Sequence, residues 1–217
     1  MSYAVKELFY TLQGEGANSG RAAVFCRFSG CNLWSGQERD RTQAVCQFCD
    51  TDFVGVDGVN GGRYANAAEL ADAVLGAWQA SCEESGSTHT CPLVVCTGGE
   101  PLLQLDAALV EALHERGFQV AIETNGTQLP PPNIDHICVS PKAGAPLNLT
   151  HGHELKLVFP QGDLDPASFL ALNFDRFYLQ PKDDANRERN TQQVVQYCLS
   201  HPEWRLSLQT HKVVGIA

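Results

Sequence analysis

The sequence predicts an α/β fold, an incomplete (β/α) TIM-like barrel of about six parallel strands. Short apolar runs alternate with amphipathic ones along the chain, as they do where helices wind a largely parallel sheet. Only six or seven strand candidates are present, too few to close a full barrel. The apolar runs end in small, polar or kinked segments, and in parallel α/β folds those carboxyl ends carry the chemistry. An open doubly wound sheet is the alternative arrangement.

In chain order the expected strands are Ala22–Phe28, Leu93–Cys96, Gln119–Glu123, His136–Val139, Glu154–Val158 and Phe177–Leu179, with a seventh at Arg205–Leu208. They are short, rich in Val, Ile, Leu and Phe, and bounded by turn residues. Expected helices are Ala67–Ala80, Leu103–Arg116 and Thr191–Ser200, with a shorter piece at Pro166–Leu172. Asn66 followed by Glu69 has the spacing of an N-cap with its reciprocating glutamate. Gly117 marks a helix stop. Trp34–Val45 and Ser81–Thr90 are polar and read as loops, Pro130-Pro131-Pro132 as a stiff connector, and Gly144–Gly152 as a mobile loop. No repeat or interdomain linker interrupts the chain, so residues 1–217 are expected to form one domain.

At 217 residues with 43% hydrophobic content, the chain can bury an ordinary core. Its net charge of −10 argues against a sequence-independent grip on nucleic acid or an anionic membrane. It leaves room for a small anionic substrate, because one pocket arginine suffices. Arg27 is a candidate, with a solvated strand-end residue as the alternative. No apolar run reaches the length of a membrane span, and the N-terminus has no secretory pattern, so the expected compartment is the cytoplasm. The nine cysteines then read as thiols rather than disulfides. Cys96 and Cys138 end apolar runs and are expected in the core, while Cys82, Cys91 and Cys198 show no evident role.

Three cysteines carry the most information. Cys31 and Cys46 are separated by fourteen residues, Cys46 and Cys49 by two. A Cys-x-x-Cys turn presents two thiolates to one metal centre. A structural zinc site normally takes four ligands, whereas an iron–sulfur cubane held by three keeps one iron open. Cys26 could supply a fourth ligand, so a zinc site stays open at this point. Further along, the strand ends read Ser29-Gly30-Cys31, Thr97-Gly98-Gly99-Glu100-Pro101, Glu123-Thr124-Asn125-Gly126, Ser140-Pro141-Lys142 and Gln180-Pro181-Lys182.

This ordered set resembles the radical S-adenosylmethionine (SAM) superfamily, through the cysteine triad, the Gly98-Gly99-Glu100-Pro101 element and Phe48 beside the last ligand. The superfamily's usual motif has three residues between its first two cysteines, and this chain departs from it. Leu12-Gln13-Gly14-Glu15-Gly16, Phe25 to Trp34, Cys46 to Phe53, Glu123 to Thr127, Ser140-Pro141-Lys142 and Leu179-Gln180-Pro181 are similar to the 7-carboxy-7-deazaguanine synthase family, whose cluster loops vary in length. The resemblance runs from residue 12 to the C-terminus.

The resemblance implies a lyase that contracts the ring of 6-carboxy-5,6,7,8-tetrahydropterin to 7-carboxy-7-deazaguanine with release of ammonia, for queuosine biosynthesis, and uses SAM catalytically. It implies one 4Fe-4S cluster on Cys31, Cys46 and Cys49, within a cluster-binding loop over residues 29–55. Phe48, Gly98, Gly99, Glu100, Glu123, Ser140, Pro141, Lys142, Gln180, Pro181, Lys182 and Asp183 would surround SAM. Leu12, Gln13, Gly14, Glu15, Arg27, Thr97, His211 and the terminal carboxylate of Ala217 would hold the substrate, the last two from a capping tail over residues 209–217. Thr51 would ligate Mg²⁺, although Asp50 and Asp52 are the commoner ligand type. No catalytic side chain is expected beyond the cluster and SAM. A flavodoxin- or ferredoxin-type electron donor and a homodimer are further implications. Taken singly, Gly98–Glu100 and Gln13–Glu15 read as turns, Ser140, Lys142 and Gln180 as loop polar groups, and His211 as structural. Competing assignments are a glycyl-radical activating enzyme and a non-catalytic zinc-binding module.

Overall fold

The computed structural model describes residues 2–85 and 91–216. Their strands form one sheet in the order β3-β1-β2-β4-β5-β6-β7-β8-β9. The strands are β1 (Tyr3–Leu12), β2 (Ala22–Phe28), β3 (Gly62–Tyr64), β4 (Leu93–Gly98), β5 (Gln119–Thr124), β6 (His136–Val139), β7 (His151–Phe159), β8 (Asn173–Pro181) and β9 (Trp204–Leu206). From β2 through β4 to β9 every pairing is parallel, while β1 lies antiparallel to both β2 and β3. The parallel strands follow each other in sequence order without reversal. A doubly wound sheet reverses at a switch point, so that alternative falls. The open sheet, wound in one direction, is in keeping with a partial barrel, with more strands than expected.

The helices are α1 (Ala67–Ser85), α2 (Ala107–Glu115), α3 (Arg187–Ser200) and α4 (Thr210–Val214). One face of β1, β2, β4 and β5 packs on α1 and α2 through Leu8, Val24, Phe28, Leu70, Val94, Leu109 and Ile122. A second cluster of Val139, Leu155, Leu157, Leu179, Val194 and Trp204 seats α3 on β6–β9. On the opposite face lies a small layer of Ala23, Leu93, Val95 and Ala121, with Phe25 packed against it. In register above it, toward the strand ends, stand Arg27 opposite Thr97 and Glu123 opposite Cys138. The apolar floor thus gives way to chemistry within one or two residue pairs.

Several expectations need correction. β1 was not foreseen because Lys6 and Glu7 interrupt its apolar pattern. Both are paired: Lys6 with Asp52 at 2.9 Å and Asp57 at 2.7 Å, Glu7 with Arg27 at 2.7 Å. The helix expected from Leu103 begins at Ala107, because the Asp106 carboxylate caps it by accepting from the Leu109 N–H at 3.0 Å, and residues 101–103 form a separate 3-10 turn. α1 extends to Ser85 into the expected loop, whose residues 86–90 lie outside the described ones. The piece at Pro166 is a 3-10 turn ending at Phe169, and α4 was not expected. The segment read as a mobile loop is tied down: Leu149 is fully buried, its N–H donates to the Gly126 carbonyl, and β7 starts at His151. Cys96 and Cys138 are buried, as expected. Cys26 is buried in the helix-side core, so it cannot join the other three cysteines as a fourth ligand.

The strand end Gly98-Gly99 has a steric purpose. Gly98 adopts φ 124°, open to glycine and strained for other residues. A Cβ on Gly99 would stand 1.9 Å from the Gly30 carbonyl oxygen. The Gly99 N–H donates to Phe28 and the Glu100 N–H to Gly30. The two glycines therefore let the end of β4 lie against the backbone that leads into Cys31. Gly99→Ala is expected to lower the unfolding free energy by roughly 1–3 kcal/mol or more, measured by urea unfolding of the metal-free protein.

Candidate active site

A cavity of about 530 Å³ opens at the carboxyl ends of the strands. On one side stand Cys31, at the end of β2, and Cys46 and Cys49 from the long loop that follows. All three are free thiols. Burial pushes the Cys31 and Cys46 thiols up, while backbone N–H groups of Leu33 and Trp34 aimed at Cys31, and Lys142 near Cys46, pull the other way. The nearby Cys49 adds to the upward push on each of the two. Three thiols from one loop, facing one cavity and supplied with amide donors, suit a thiolate-bound iron–sulfur cluster, whose loading releases the protons they carry. Among the described residues no group of three or more His, Cys, Asp or Glu is gathered to hold a single metal ion.

The rest of the cavity wall holds most of the residues singled out in the sequence. Phe48, Gly98, Gly99, Glu123, Ser140, Lys142, Gln180, Pro181 and Asp183 line it, as do Leu12, Gln13, Gly14, Glu15, Arg27, Thr97, His211 and Thr51. Glu100, Pro141 and Lys182 do not. Glu100 is fully buried, and its carboxylate accepts from Thr124 Oγ1 at 2.7 Å, Asn125 N–H at 2.8 Å and Leu102 N–H at 3.0 Å. The Pro141 carbonyl accepts from Gln161 at 2.9 Å, and Lys182 turns to Asp184 at 3.0 Å. Ala217 lies outside the described residues.

Four of these positions have contacts that a sequence cannot disclose. The Gln13 amide donates to Glu123 at 2.8 Å while its oxygen accepts from the Glu15 N–H at 3.0 Å, so both ends are engaged within the protein. Arg27 donates through Nε to Glu7 at 2.7 Å and lies 5.7 Å from the Phe9 ring centroid, which fixes the orientation of its guanidinium. Lys142 donates to both the carbonyl and the hydroxyl of Ser140 at 2.7 Å. His211 sits so close that a Cβ on Gly14 would meet its Nδ1 at 2.1 Å.

Two charged groups of the site were not among those singled out in the sequence. Lys156, on β7, is 4% exposed and bonds Glu15, with Glu123 at 3.4 Å. Burial pushes its ammonium down, but Glu123 and Glu15, with Cys138 and Glu154 behind them, more than offset this and hold it well above the usual lysine range. Glu15 is the complement: burial pushes it up, and Lys156, Gln209 and His211 bring it below the ordinary glutamate value. A charged residue inside the apolar run Leu155-Lys156-Leu157-Val158 was the available signal. The second is Lys212, whose partner Asp50 was weighed only as a metal ligand. Lys212, on α4, bridges Asp50 at 2.5 Å and Asp183 at 2.6 Å, and Gln209 adds a contact to Glu15 at 2.9 Å. Together with Thr210, whose N–H and hydroxyl donate to the Gly14 carbonyl at 3.0 and 2.8 Å, they fasten the tail over the cavity.

No family model matches the chain. Curated relatives do. The 7-carboxy-7-deazaguanine synthase of Caulobacter vibrioides is 62% identical over 216 residues, with the whole of each chain covered. That of Bordetella pertussis is also 62% identical over 216 residues with full coverage of both. Among solved structures, the crystal structure of QueE from Escherichia coli superposes with a TM-score of 0.65 at 25% identity, covering 96% of this chain and 94% of that one.

Two outcomes follow from the charges. Lys156→Met leaves two carboxylates at the cavity wall without their cation and is expected to lower the unfolding free energy by about 3–5 kcal/mol, read by urea denaturation. The α4 fastening has a defined pH range. Burial pushes Asp50 up, but the Lys212 ammonium brings it below its ordinary value; for Lys212, burial pulls down and Asp183 and Asp50 raise it. A lowered carboxyl contributes stability above its unfolded pKa, lost as pH falls through the folded one. A raised ammonium contributes below its unfolded pKa, lost as pH rises through the folded one. Amide exchange at residues 210–214, corrected for intrinsic rates, is therefore expected to be flat from about pH 5 to 9 and to accelerate below about pH 4.

Proposed function

The chain belongs to the 7-carboxy-7-deazaguanine synthase family, and from that premise we propose that it converts 6-carboxy-5,6,7,8-tetrahydropterin to 7-carboxy-7-deazaguanine with loss of ammonia, in the route to queuosine. The observation that carries this reading is the joint presence, in the wall of one cavity, of three free thiols, a fixed arginine and a charged Glu15–Lys156 pair.

Cys31, Cys46 and Cys49 would hold a 4Fe-4S cluster. When bound, the cluster and SAM supply the one-electron chemistry and hydrogen abstraction that no side chain of the chain can provide. The chain binds, orients and shields. The guanidinium of Arg27, with Glu7 on its Nε side and Phe9 near one face, offers its terminal nitrogens as a fork for the substrate carboxylate. Glu15, kept ionised by Lys156, is an acceptor only and suits the N–H edge of a planar heterocycle. Gln13 supports this from behind by fixing Glu15 and Glu123, and Thr97 adds a hydroxyl opposite Arg27. Gly98 and Gly99 present backbone to SAM, with Phe48, Glu123, Ser140, Lys142, Gln180, Pro181 and Asp183 around it. Glu100 acts on SAM only through the loops it ties together. The Thr51 hydroxyl would ligate Mg²⁺, which keeps its waters and takes remaining oxygens from substrate. The Ala217 carboxylate would close over the substrate from the tail that α4 anchors.

A flavodoxin- or ferredoxin-type electron donor and a homodimer are carried over from the family resemblance, and a cytoplasmic setting from the patterning of the sequence. No helix among the described residues is long and apolar enough to cross a membrane.

The test is anaerobic turnover of 6-carboxy-5,6,7,8-tetrahydropterin by cluster-reconstituted, untagged protein with SAM, a strong reductant and Mg²⁺, followed by mass. The expected result is 7-carboxy-7-deazaguanine that depends on every component, without matching accumulation of 5′-deoxyadenosine. Reductive cleavage of SAM with no product from the pterin would overturn the substrate assignment.

A further inference from the structure

The fourteen-residue spacing between Cys31 and Cys46 leaves a question that the proposed reaction does not answer: what the long segment does. In the structure, residues 38–43 form a 3-10 turn, and from it Arg41 reaches across to the Cys-x-x-Cys turn. Its Nη1 donates to the carbonyl of Gln47 at 2.9 Å and to that of Cys49 at 3.0 Å. Its Nε donates to both carboxylate oxygens of Glu38 at 2.8 Å. The guanidinium lies 4.0 Å from the Trp34 ring centroid, within cation–π range. Trp34 is itself buried, meets Phe53 edge to face at 5.6 Å, and donates from its indole to the Gln37 carbonyl at 3.2 Å.

The segment closes on itself as well. Ser35 Oγ donates to Asp40 at 2.7 Å, Gln47 Nε2 to the Thr42 carbonyl at 3.1 Å, and the Val45 and Cys46 N–H groups to the Leu33 carbonyl at 3.1 and 3.4 Å. Leu33 stands two residues from Cys31. The first cysteine and the later pair are thus joined by backbone bonds at the neck of the insertion and by one side chain across its top.

We propose that Arg41 is a positioning residue for the cluster loop, its guanidinium clamping the Gln47 and Cys49 carbonyls against the Trp34 platform so that Cys46 and Cys49 are held for the cluster. The chemistry is specific to arginine. Two acceptor carbonyls, one carboxylate and one aromatic face are served at once by a planar fork, whereas the single ammonium of a lysine is a compact point charge with no plane to stack. Glu38 is itself largely solvent-exposed, at 78%, so its part is to aim Arg41. In a loop of ordinary length there is no room for such a turn, and here the added residues supply their own brace.

The inference rests on the assignment of Cys31, Cys46 and Cys49 as cluster ligands, and its test does not use turnover. Arg41→Ala, Arg41→Lys and Glu38→Gln are compared with the parent in two measurements. The first is the rate of cluster loss from the reconstituted holoenzyme to a ferrous chelator, followed by the visible absorbance. The second is the alkylation rate of Cys46 and Cys49 in the full-length metal-free chain, resolved by peptide mass. Loss of charge-assisted bonds predicts about tenfold faster cluster loss and alkylation for Arg41→Ala, a smaller rise for Arg41→Lys, and the smallest for Glu38→Gln. Alkylation at Cys91, far along the chain, should not change. Parent rates in Arg41→Ala, or equal rates in Arg41→Lys and the parent, would overturn the proposal. A parent that takes up no cluster would instead overturn the ligand assignment, and the alkylation rates would still decide the brace.

Discussion

A buried carboxylate with no cation bonded to it holds the rim of the sheet together. Glu100 satisfies its oxygens on neutral donors from the end of β5 and from its own 3-10 turn. Burial raises its pKa, and the hydrogen bonds from Asn125, Thr124 and Leu102 work against that rise. A charge kept away from water is tolerated when its lone pairs are met. From this node the bonds run outward. The Asn125 side chain donates to Asn32 at 3.0 Å, Asn32 donates to Thr127 Oγ1 at 2.8 Å, and Thr127 returns to the Asn125 oxygen at 2.7 Å. Asn32 follows Cys31 directly. The first thiol, the glycine pair and the end of β5 therefore move as one piece.

Above that floor the cavity gathers cations and carboxylates in pairs. The chain carries 15 Lys and Arg against 25 Asp and Glu, yet Lys6, Arg27, Lys142, Lys156 and Lys212 all face one cavity. Each is matched locally, by Asp52 and Asp57, Glu7, the oxygens of Ser140, Glu15 and Glu123, and Asp50 and Asp183 in turn. An anion entering there meets fixed donors rather than a net field, so overall charge says little about the substrate. Burial also decides which partners matter. Lys156 and Glu15 are nearly enclosed, so removing either leaves the other uncompensated. Lys212, at 30% exposed, is more open to solvent and contributes more to tail position than to stability.

The sequence was most informative where one physical rule acted alone. β2 and β6 have the bounds expected, because apolar runs between breakers have few other solutions. β1 was hidden because the partners of Lys6 and Glu7 lie far along the chain, and an alternation rule counts a paired lysine as a surface one. α2 begins late because Asp106 offers a better cap than the apolar run before it. The cysteine triad, Arg27, Glu15 and the strand-end glycines could be picked out as residue types suited to the chemistry. What those types do was less legible. Glu100 is turned to the fold and away from the cavity, and Gln13 has both ends engaged. Lys156 was placed correctly in a strand, but nothing in its neighbourhood along the chain reveals Glu15.

The two long-range elements of the site meet at Asp50. This residue lies between Cys49 and Thr51, and it receives Lys212 at 2.5 Å and Gln209 at 3.4 Å from the tail. Gln209 also reaches Glu15, and Thr210 holds the Gly14 carbonyl. The tail thus touches the cysteine loop with one set of groups and the Gly14–Glu15 turn with another, although 159 to 162 residues of chain separate it from the first and 194 to 196 from the second. Asp50 therefore ties the loop to α4, and Gln209, at the start of α4, ties that helix to Glu15. The cysteine side and the Glu15 side of the cavity are joined through charged and hydrogen-bonded contacts at its surface, which can open without disturbing the apolar layers beneath. The core fixes where the thiols and the arginine stand, and these weaker contacts determine how the cavity closes around what they hold.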